Sequence, residues 1–157
     1  MQIKILWVGK TKNVSIRNLF DDYLSRIRHM VSCEIVETRD FSKRRSLRGA
    51  KLLTSEAEEI ARFIGDNSRI VALDEKGKEF SSAEFARWFD AEQNSGVREI
   101  DFVIGGPEGL DASIVARSHL RLSLGKMTWT HEMCRLLLIE QIYRALGILR
   151  NIPYHRA

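Results

Sequence analysis

Hydrophobic and polar positions along the chain follow two alternating patterns. Short apolar runs occupy residues 3–9, 33–38, 69–74, 98–106 and 120–125, and runs of this length predict β-strands. Between these runs, apolar residues recur at three- and four-residue steps, which is typical of amphipathic helices. The helices are predicted at residues 15–30, 47–64, 82–95, 112–118 and 131–149.

Local sequence signals mark several helix ends. Gly65 follows the second helix and is predicted to end it, because glycine tolerates a positive φ. Ser81 and Glu84 have the spacing of a capping box at the start of the third helix. Asp111 is placed to cap the short fourth helix.

The regular alternation of strand and helix predicts the fold class. It favours an α/β domain with a mostly parallel sheet and helices on both faces. We find no repeat or linker, so residues 1–157 are interpreted as a single domain. Ligands in such folds bind where strands end at their carboxyl edge, which directs attention to Leu73 and Asp74, to Gly105 and Gly106, and to the loop after Leu124.

Composition excludes several classes of protein. Hydrophobic residues make up 44% of the chain and charged residues 29%, as in ordinary globular proteins. No run approaches the ~20 apolar residues of a membrane span, and no signal peptide is evident, so we expect a cytoplasmic protein without a membrane partner. Cys33 and Cys134 lack the Cys/His spacing of a zinc site, and we expect reduced thiols and no metal.

The basic residues are concentrated in two places. The net charge of +4 suits a polyanionic partner without requiring one. One cluster comprises Lys43, Arg44, Arg45, Arg48 and Lys51, and the C-terminal tail adds Arg150, His155 and Arg156 beside Tyr154. Taken alone, both stretches fit a solvated surface as well as a nucleic-acid contact.

The stretch "IGGPEGL", residues 104–110, resembles a phosphate-binding loop only superficially. It follows the fourth strand rather than the first, Pro107 removes a backbone N–H, and Glu108 adds a negative charge. An ordinary turn remains one interpretation. The other is a site for a flat, neutral heterocycle such as adenine, completed by the small, apolar and hydroxyl residues at 124–130.

Four segments together resemble a known family. "VALDEKGKEFSSAEFA", "FVIGGPEGL", "LSLGKMTWTHEMCRLLLIEQIYRA" and the terminal "YHR" are similar to the RlmH family of SPOUT-class methyltransferases, over nearly the whole chain. The resemblance implies a deep trefoil knot at the C-terminal end, a homodimer, and S-adenosylmethionine (SAM) as methyl donor. It further implies methylation of ring nitrogen N3 of a pseudouridine in the helix 69 loop of 23S rRNA, within the assembled 70S ribosome.

The resemblance also implies which residues bind the cofactor. The adenosine site would consist of Leu73, Gly105, Gly106, Leu124, Gly125, Lys126, Met127, Thr128 and Trp129. Thr130 departs from the proline that usually precedes His131 in the family, so the local backbone is expected to differ. His131 either organises the cofactor loop or contacts substrate, and Glu108 either faces the cofactor's positive charge or favours a helix N-terminus.

The C-terminal tail supplies the candidate catalytic residues. His155 is the candidate base or proton relay, Arg156 and Arg144 would stabilise negative charge on the target base, and Tyr154 would stack on it. The basic cluster at 43–51 would then contact rRNA phosphates. Two alternatives stay open: a non-catalytic RNA-binding module of ribosome assembly, and a flavodoxin-type nucleotide-binding protein, for which "VGKTKNVS" is a poor phosphate loop.

Overall fold

Five strands and five helices alternate along the chain. The computed structural model describes residues 1–44 and 46–154. The strands are β1 (Gln2–Val8), β2 (Ser32–Thr38), β3 (Arg69–Glu79), β4 (Glu99–Ile104) and β5 (Leu120–Ser123). The helices are α1 (Val14–Arg28), α2 (Ala50–Ala61), α3 (Ser82–Asn94), α4 (Ala112–Arg117) and α5 (His131–Leu149).

The strands form one sheet in the order β2-β1-β4-β3-β5, and every neighbouring pair is parallel. The predicted α/β class with a parallel sheet is therefore confirmed. Because all strands point the same way, the segments that follow β3, β4 and β5 emerge side by side at one edge of the sheet.

Helices cover both faces of the sheet, as predicted. On one face α1, α3 and α5 bury Ile3 and Ile5 of β1, and on the other face α2 and α4 bury Leu6 and Val8. A strand segment that is buried on both faces is apolar throughout, which explains the continuous hydrophobic run from Ile5 to Val8 in β1. Among the helices in the described part of the chain, none is long and apolar enough to cross a bilayer.

The last helix occupies a central position. It follows the edge strand β5, yet it packs between α1 and α3 over the middle of the sheet. Leu138, Ile139 and Ile142 are fully buried there. Its N-terminal turn lies at the carboxyl edge of the strands, and its last residues approach Met30, just before β2 begins. Helix α5 therefore runs antiparallel to the strands.

Two local predictions were wrong in an informative way. Gly65 does not adopt a positive φ, and α2 ends earlier, at Ala61. A side chain at Gly65 would instead collide with the carboxylate of Glu99, while its backbone N–H donates to Asp101 Oδ2 at 2.9 Å. Glycine here allows Glu99 to pack closely rather than providing dihedral freedom, and a side chain would require the Glu99 carboxylate to move.

The third strand extends beyond residue 74, where it was predicted to end. Leu73 and Lys78 both pair with Leu122 of β5, so residues 74–77 bulge out of the ladder before the strand resumes. Asp74 stabilises this bulge by accepting hydrogen bonds from the backbone N–H of Lys76 and from the Arg121 guanidinium. Residues 74–77 thus form a bulge within a continuing strand.

Candidate cofactor-binding site and C-terminal tail

Three chain segments meet at the carboxyl edge of the neighbouring strands β4, β3 and β5. Val103 pairs with Ala72, and Leu73 pairs with Leu122. Gly105 therefore leaves the sheet beside Leu73, and Leu124 leaves it on the other side of β3. The structure brings together the three loops that were predicted to form the adenosine site.

The glycine loop folds back on itself. Gly106 and Gly109 form an isolated antiparallel bridge, in which the Gly109 N–H donates to the Gly106 carbonyl at 3.0 Å. A side chain at Gly105 would collide with the Gly109 carbonyl, and Gly109 has a φ of +84°. Pro107 and Glu108 are exposed at the tip. Gly105 and Gly109 thus permit a tight loop at the end of β4.

The second loop, residues 124–130, is also shaped by a glycine. Gly125 has a φ of +116°, and its N–H donates to the Ser123 hydroxyl at 3.2 Å while its carbonyl accepts from the same hydroxyl at 3.0 Å. Met127 and Trp129 carry large apolar side chains that are 77% and 40% exposed. The loop therefore presents uncovered apolar surface beside the glycine loop.

Thr130 caps the last helix. Its hydroxyl accepts a hydrogen bond from the Met133 N–H at 3.2 Å, and its φ is −63°. This φ is the value that proline imposes. The expected difference in backbone at this position is therefore absent: threonine keeps a proline-compatible backbone and adds a side-chain cap.

The start of α5 is hydrogen-bonded to the loop after β1. Glu132 Oε1 accepts from the backbone N–H groups of Lys12 and Asn13 at 2.9 and 3.0 Å. Arg135 is fully buried and donates to the Thr11 hydroxyl and the Val8 carbonyl, both at 2.9 Å. Sequence reasoning missed both residues, although an arginine within so apolar a helix was an available signal.

His131 lies at this junction. Burial, together with the nearby Arg135 guanidinium, lowers the pKa of the His131 imidazole below its usual value of 6.5. The side chain is therefore neutral near pH 7, and a neutral imidazole next to the first turn of α5 fits the organising role better than an ionic contact with phosphate.

A buried carboxylate faces the glycine loop from the other side of the sheet. Glu56 lies on the buried face of α2 and is 6% exposed. Burial, together with the negative charges of Asp40 and Glu108, raises the pKa of Glu56 to about 7. Sequence reasoning missed this residue. The signal was its spacing, four residues from both Leu52 and Ile60 on the apolar stripe.

The C-terminal tail turns back along α5. Asn151 adopts a φ of +54°, and the Ile152 N–H donates to the Gly147 carbonyl at 2.9 Å, which is the geometry of a Schellman motif. Tyr154 consequently packs on Tyr143, with ring centroids 4.7 Å apart, and under the Arg144 guanidinium. His155 and Arg156 lie outside the described residues.

Polar contacts hold Arg144 and Tyr154 in place. Arg144 donates to Glu140 Oε1 from two nitrogens, at 3.0 and 2.6 Å. The Tyr154 hydroxyl lies 2.9 Å from that of Tyr23 and 3.1 Å from Glu140 Oε1. Burial, these hydrogen bonds and the Glu140 charge raise the pKa of Tyr154, so its hydroxyl stays protonated at neutral pH.

One chain does not bring the tail to the proposed cofactor site. Arg144 lies 13 residues after His131 on one straight helix, which corresponds to about 20 Å at 1.5 Å per residue. The loops are at the carboxyl edge of the sheet, whereas Arg144 and Tyr154 lie toward its amino edge. Within a single chain, the two groups of predicted site residues are thus separated.

A parallel α/β sheet with two glycine-containing loops at its carboxyl edge is the arrangement of a ligand-binding α/β protein. The model of the family described as "Predicted SPOUT methyltransferase" matches residues 1–155. The chain therefore belongs to the SPOUT methyltransferase family.

Curated relatives match over their full length. The chain is 40% identical over 157 residues to a protein of Geobacter metallireducens, covering 100% of both chains. It is 37% identical over 155 residues to a protein of Geotalea daltonii, covering 99% of each. It is 39% identical over 159 residues to one of Clostridium acetobutylicum, with 99% of this chain and 100% of the relative covered. All three are named ribosomal RNA large subunit methyltransferase H.

A solved structure shares the fold. The structure of a probable methylase family protein from Haemophilus influenzae Rd KW20 superposes with a TM-score of 0.51 at 12% identity, covering 99% of this chain and 70% of that one. At this identity the likeness concerns the fold alone.

Proposed function

We propose that this protein is a SAM-dependent methyltransferase that modifies N3 of a pseudouridine in the helix 69 loop of 23S rRNA, within the assembled ribosome. The observation that carries the proposal is the meeting of the glycine loop and the 124–130 loop at one edge of the sheet. The names of the curated relatives support an rRNA substrate, and ribosomes as substrate imply action in the cytoplasm.

The residues of the two loops fit the adenosine part of SAM. Gly105 and Gly106 contribute backbone N–H and C=O groups without side chains, and Leu73, Leu124 and Trp129 supply apolar surface around them. A neutral heterocycle needs such backbone donors and acceptors with apolar walls. When bound, SAM supplies a methyl group on a sulfonium, which transfers by in-line attack of the target nitrogen.

The protein's own contribution is positioning and electrostatic stabilisation. The target N3 loses a proton, and negative charge develops on the ring carbonyl oxygens. Arg144 and Arg156 would stabilise that charge, and His155 would accept or relay the proton. Tyr154 stays protonated at neutral pH and would serve as a stacking surface and hydrogen-bond donor rather than as a base.

A homodimer would resolve the separation of tail and loops. We propose that the partner's tail completes each cofactor site, because the chain's own Arg144 and Tyr154 lie about 20 Å from its own loops. Leu19 on α1 is 46% exposed and Trp129 40%, and exposed apolar surface of this kind favours an interface between copies.

Two further features of the family are proposed for this chain. The path of α5, from the edge strand β5 to the centre of the sheet, is compatible with the trefoil knot that the resemblance implies. The exposed Lys43, Arg44, Arg48 and Lys51 would contact rRNA phosphates. Arg45 of this cluster lies outside the described residues.

Incubation with methyl-labelled SAM tests the function. The protein is offered 70S ribosomes or isolated 23S rRNA, and the labelled nucleotide is mapped. We expect label at one pseudouridine of the helix 69 loop, with ribosomes as the better substrate. A non-catalytic RNA-binding module would incorporate no label and show no heat of SAM binding in calorimetry.

Alanine at His155 or Arg156 tests the catalytic role of the tail. We expect either substitution to lower turnover by at least about 100-fold, as for a lost general acid–base or charge-stabilising group. The SAM affinity should stay within about threefold of wild type, because the proposed adenosine contacts come from the loops and not from the tail. His29→Gln, at an exposed histidine, is the control. Wild-type turnover in both tail variants would remove the tail from the mechanism.

A further inference from the structure

Glu56 is a carboxylate at a position where the helix pattern calls for an apolar side chain. It is buried, with only 6% of its accessible surface exposed. Among the described residues no salt bridge reaches it. The charged groups that face it are Asp40, from the segment after β2, and Glu108, from the glycine loop. Both carry the same sign as Glu56.

The carboxylate points at the glycine loop. Its Oε1 and Oε2 atoms lie 3.5 and 3.8 Å from the position that a Cβ on Gly106 would occupy. Because Gly106 has no side chain, nothing from that residue covers the carboxylate. The Glu56 oxygens therefore border the carboxyl edge of the sheet, next to the loop that the proposed function assigns to the cofactor.

We infer that Glu56 binds the cationic part of SAM, an inference that rests on the function proposed above. SAM carries two positive groups, the sulfonium and the α-ammonium, beside a neutral adenosine. The glycine and 124–130 loops are suited to the adenosine, and their one acidic residue, Glu108, is exposed at the tip of the glycine loop. A buried carboxylate that has no cationic neighbour among the described residues is stabilised in its ionised form by such a charge.

This assignment has a thermodynamic signature. In the free protein the pKa of Glu56 is about 7, so near neutral pH the carboxyl is about half protonated. A bound cation lowers that pKa. Binding then releases a proton, and the affinity for SAM rises as pH increases through about 7. Asp40 is already ionised in this range, since hydrogen bonds from Ser42 lower its pKa.

Titration calorimetry of the full-length protein with SAM tests the inference without any turnover. Measured one unit below and one unit above the Glu56 pKa of about 7, the wild-type Kd should fall by about tenfold with increasing pH. At the midpoint, two buffers of different ionisation enthalpy should reveal release of about half a proton per SAM bound. Glu56→Gln should bind SAM more weakly, with neither the pH dependence nor the proton release.

Two comparisons sharpen the result. Glu108→Gln removes the exposed acid beside Glu56 and should retain the pH dependence. S-adenosylhomocysteine carries the α-ammonium but lacks the sulfonium charge. If Glu56→Gln loses affinity for SAM alone, Glu56 contacts the sulfonium. If it loses affinity equally for both ligands, Glu56 contacts the α-ammonium.

The outcomes separate this inference from the proposed function. If the wild type binds SAM but releases no proton, or if Glu56→Gln keeps the wild-type affinity and pH dependence, the role of Glu56 is wrong while the function stands. Persistent proton release in Glu56→Gln would assign the titration to another group, such as His131. If the wild type does not bind SAM, the proposed function itself is overturned and this inference falls with it.

Discussion

At the scale of single residues, Thr130 stands where the family usually has proline and keeps a backbone that proline could adopt. Its φ of −63° is the proline value, and its hydroxyl caps α5. Proline and threonine thus stabilise the same junction by different means: proline restricts the unfolded chain, whereas threonine satisfies an unpaired N–H at the start of the helix.

This comparison predicts the stability of two variants. Thr130→Ala loses the cap and should lower the free energy of unfolding by about 1 kcal/mol. Thr130→Pro loses the cap as well but regains about 0.4–1 kcal/mol through the restricted unfolded chain, and should lie near the wild type. Urea denaturation at one fixed protein concentration measures both. A proline variant less stable than the alanine variant would show that the backbone at this position does not accept proline.

The sequence revealed some of the candidate site residues and not others. The C-terminal histidine and arginine and the glycines could be proposed because they belong to a motif. Glu56 and Arg135 stand out in the sequence as charged groups inside an apolar pattern, but their roles could not be predicted, because a single sequence does not show what lies opposite them. Their roles follow from neighbours that are distant in the chain, Gly106 for Glu56 and Val8 for Arg135.

At the scale of elements, the glycine loop combines a position that cannot accept a side chain with one that can. A Cβ at Gly105 would collide with the backbone of Gly109, which cannot move without opening the loop. A Cβ at Gly106 would meet only the Glu56 carboxylate, at 3.5 Å, an ordinary van der Waals distance. The two adjacent glycines are therefore not equivalent.

The expected consequence is a difference in stability. Gly105→Ala should lower the free energy of unfolding by about 1–3 kcal/mol, the usual cost of overpacking. Gly106→Ala should stay within about 0.5 kcal/mol of wild type, as at sites without strain. Thermal and urea denaturation of the pair provide the measurement. Equal losses would show that Gly106 accepts a side chain no better than Gly105 does.

The strands and helices themselves were largely predictable. Each predicted element exists, since apolar periodicity reports which face is buried. The ends were less predictable where a tertiary contact decides them: β3 continues past residue 74 because Lys78 returns to pair with Leu122. The order of strands in the sheet was not predictable from periodicity, which carries no information on which strands pair.

At the scale of the whole molecule, the separation of tail and loops leads to a complementation experiment. Arg156→Ala carries a defective tail, and Gly105→Ala carries a defective cofactor loop. If each site combines the loops of one chain with the tail of its partner, a mixed dimer contains one site in which both parts are intact.

Coexpression of the two inactive variants in equal amounts should therefore restore activity. Random pairing yields half mixed dimers with one working site out of two, so we expect about a quarter of the wild-type turnover. Each variant alone serves as the control and should remain inactive. No restored activity in purified mixed dimers would show that each chain uses its own tail, in contradiction to the separation seen within one chain.

The contact between Glu132 and the backbone of Lys12 and Asn13 has a consequence for how the enzyme is made. It joins residues 120 positions apart, and such distant pairings form late and slowly. The contact between the start of α5 and the loop before α1 therefore forms only when the last helix has been synthesised. A nascent chain still attached to a translating ribosome would have no finished site, so a protein proposed to modify ribosomes would become competent only after its own release from one.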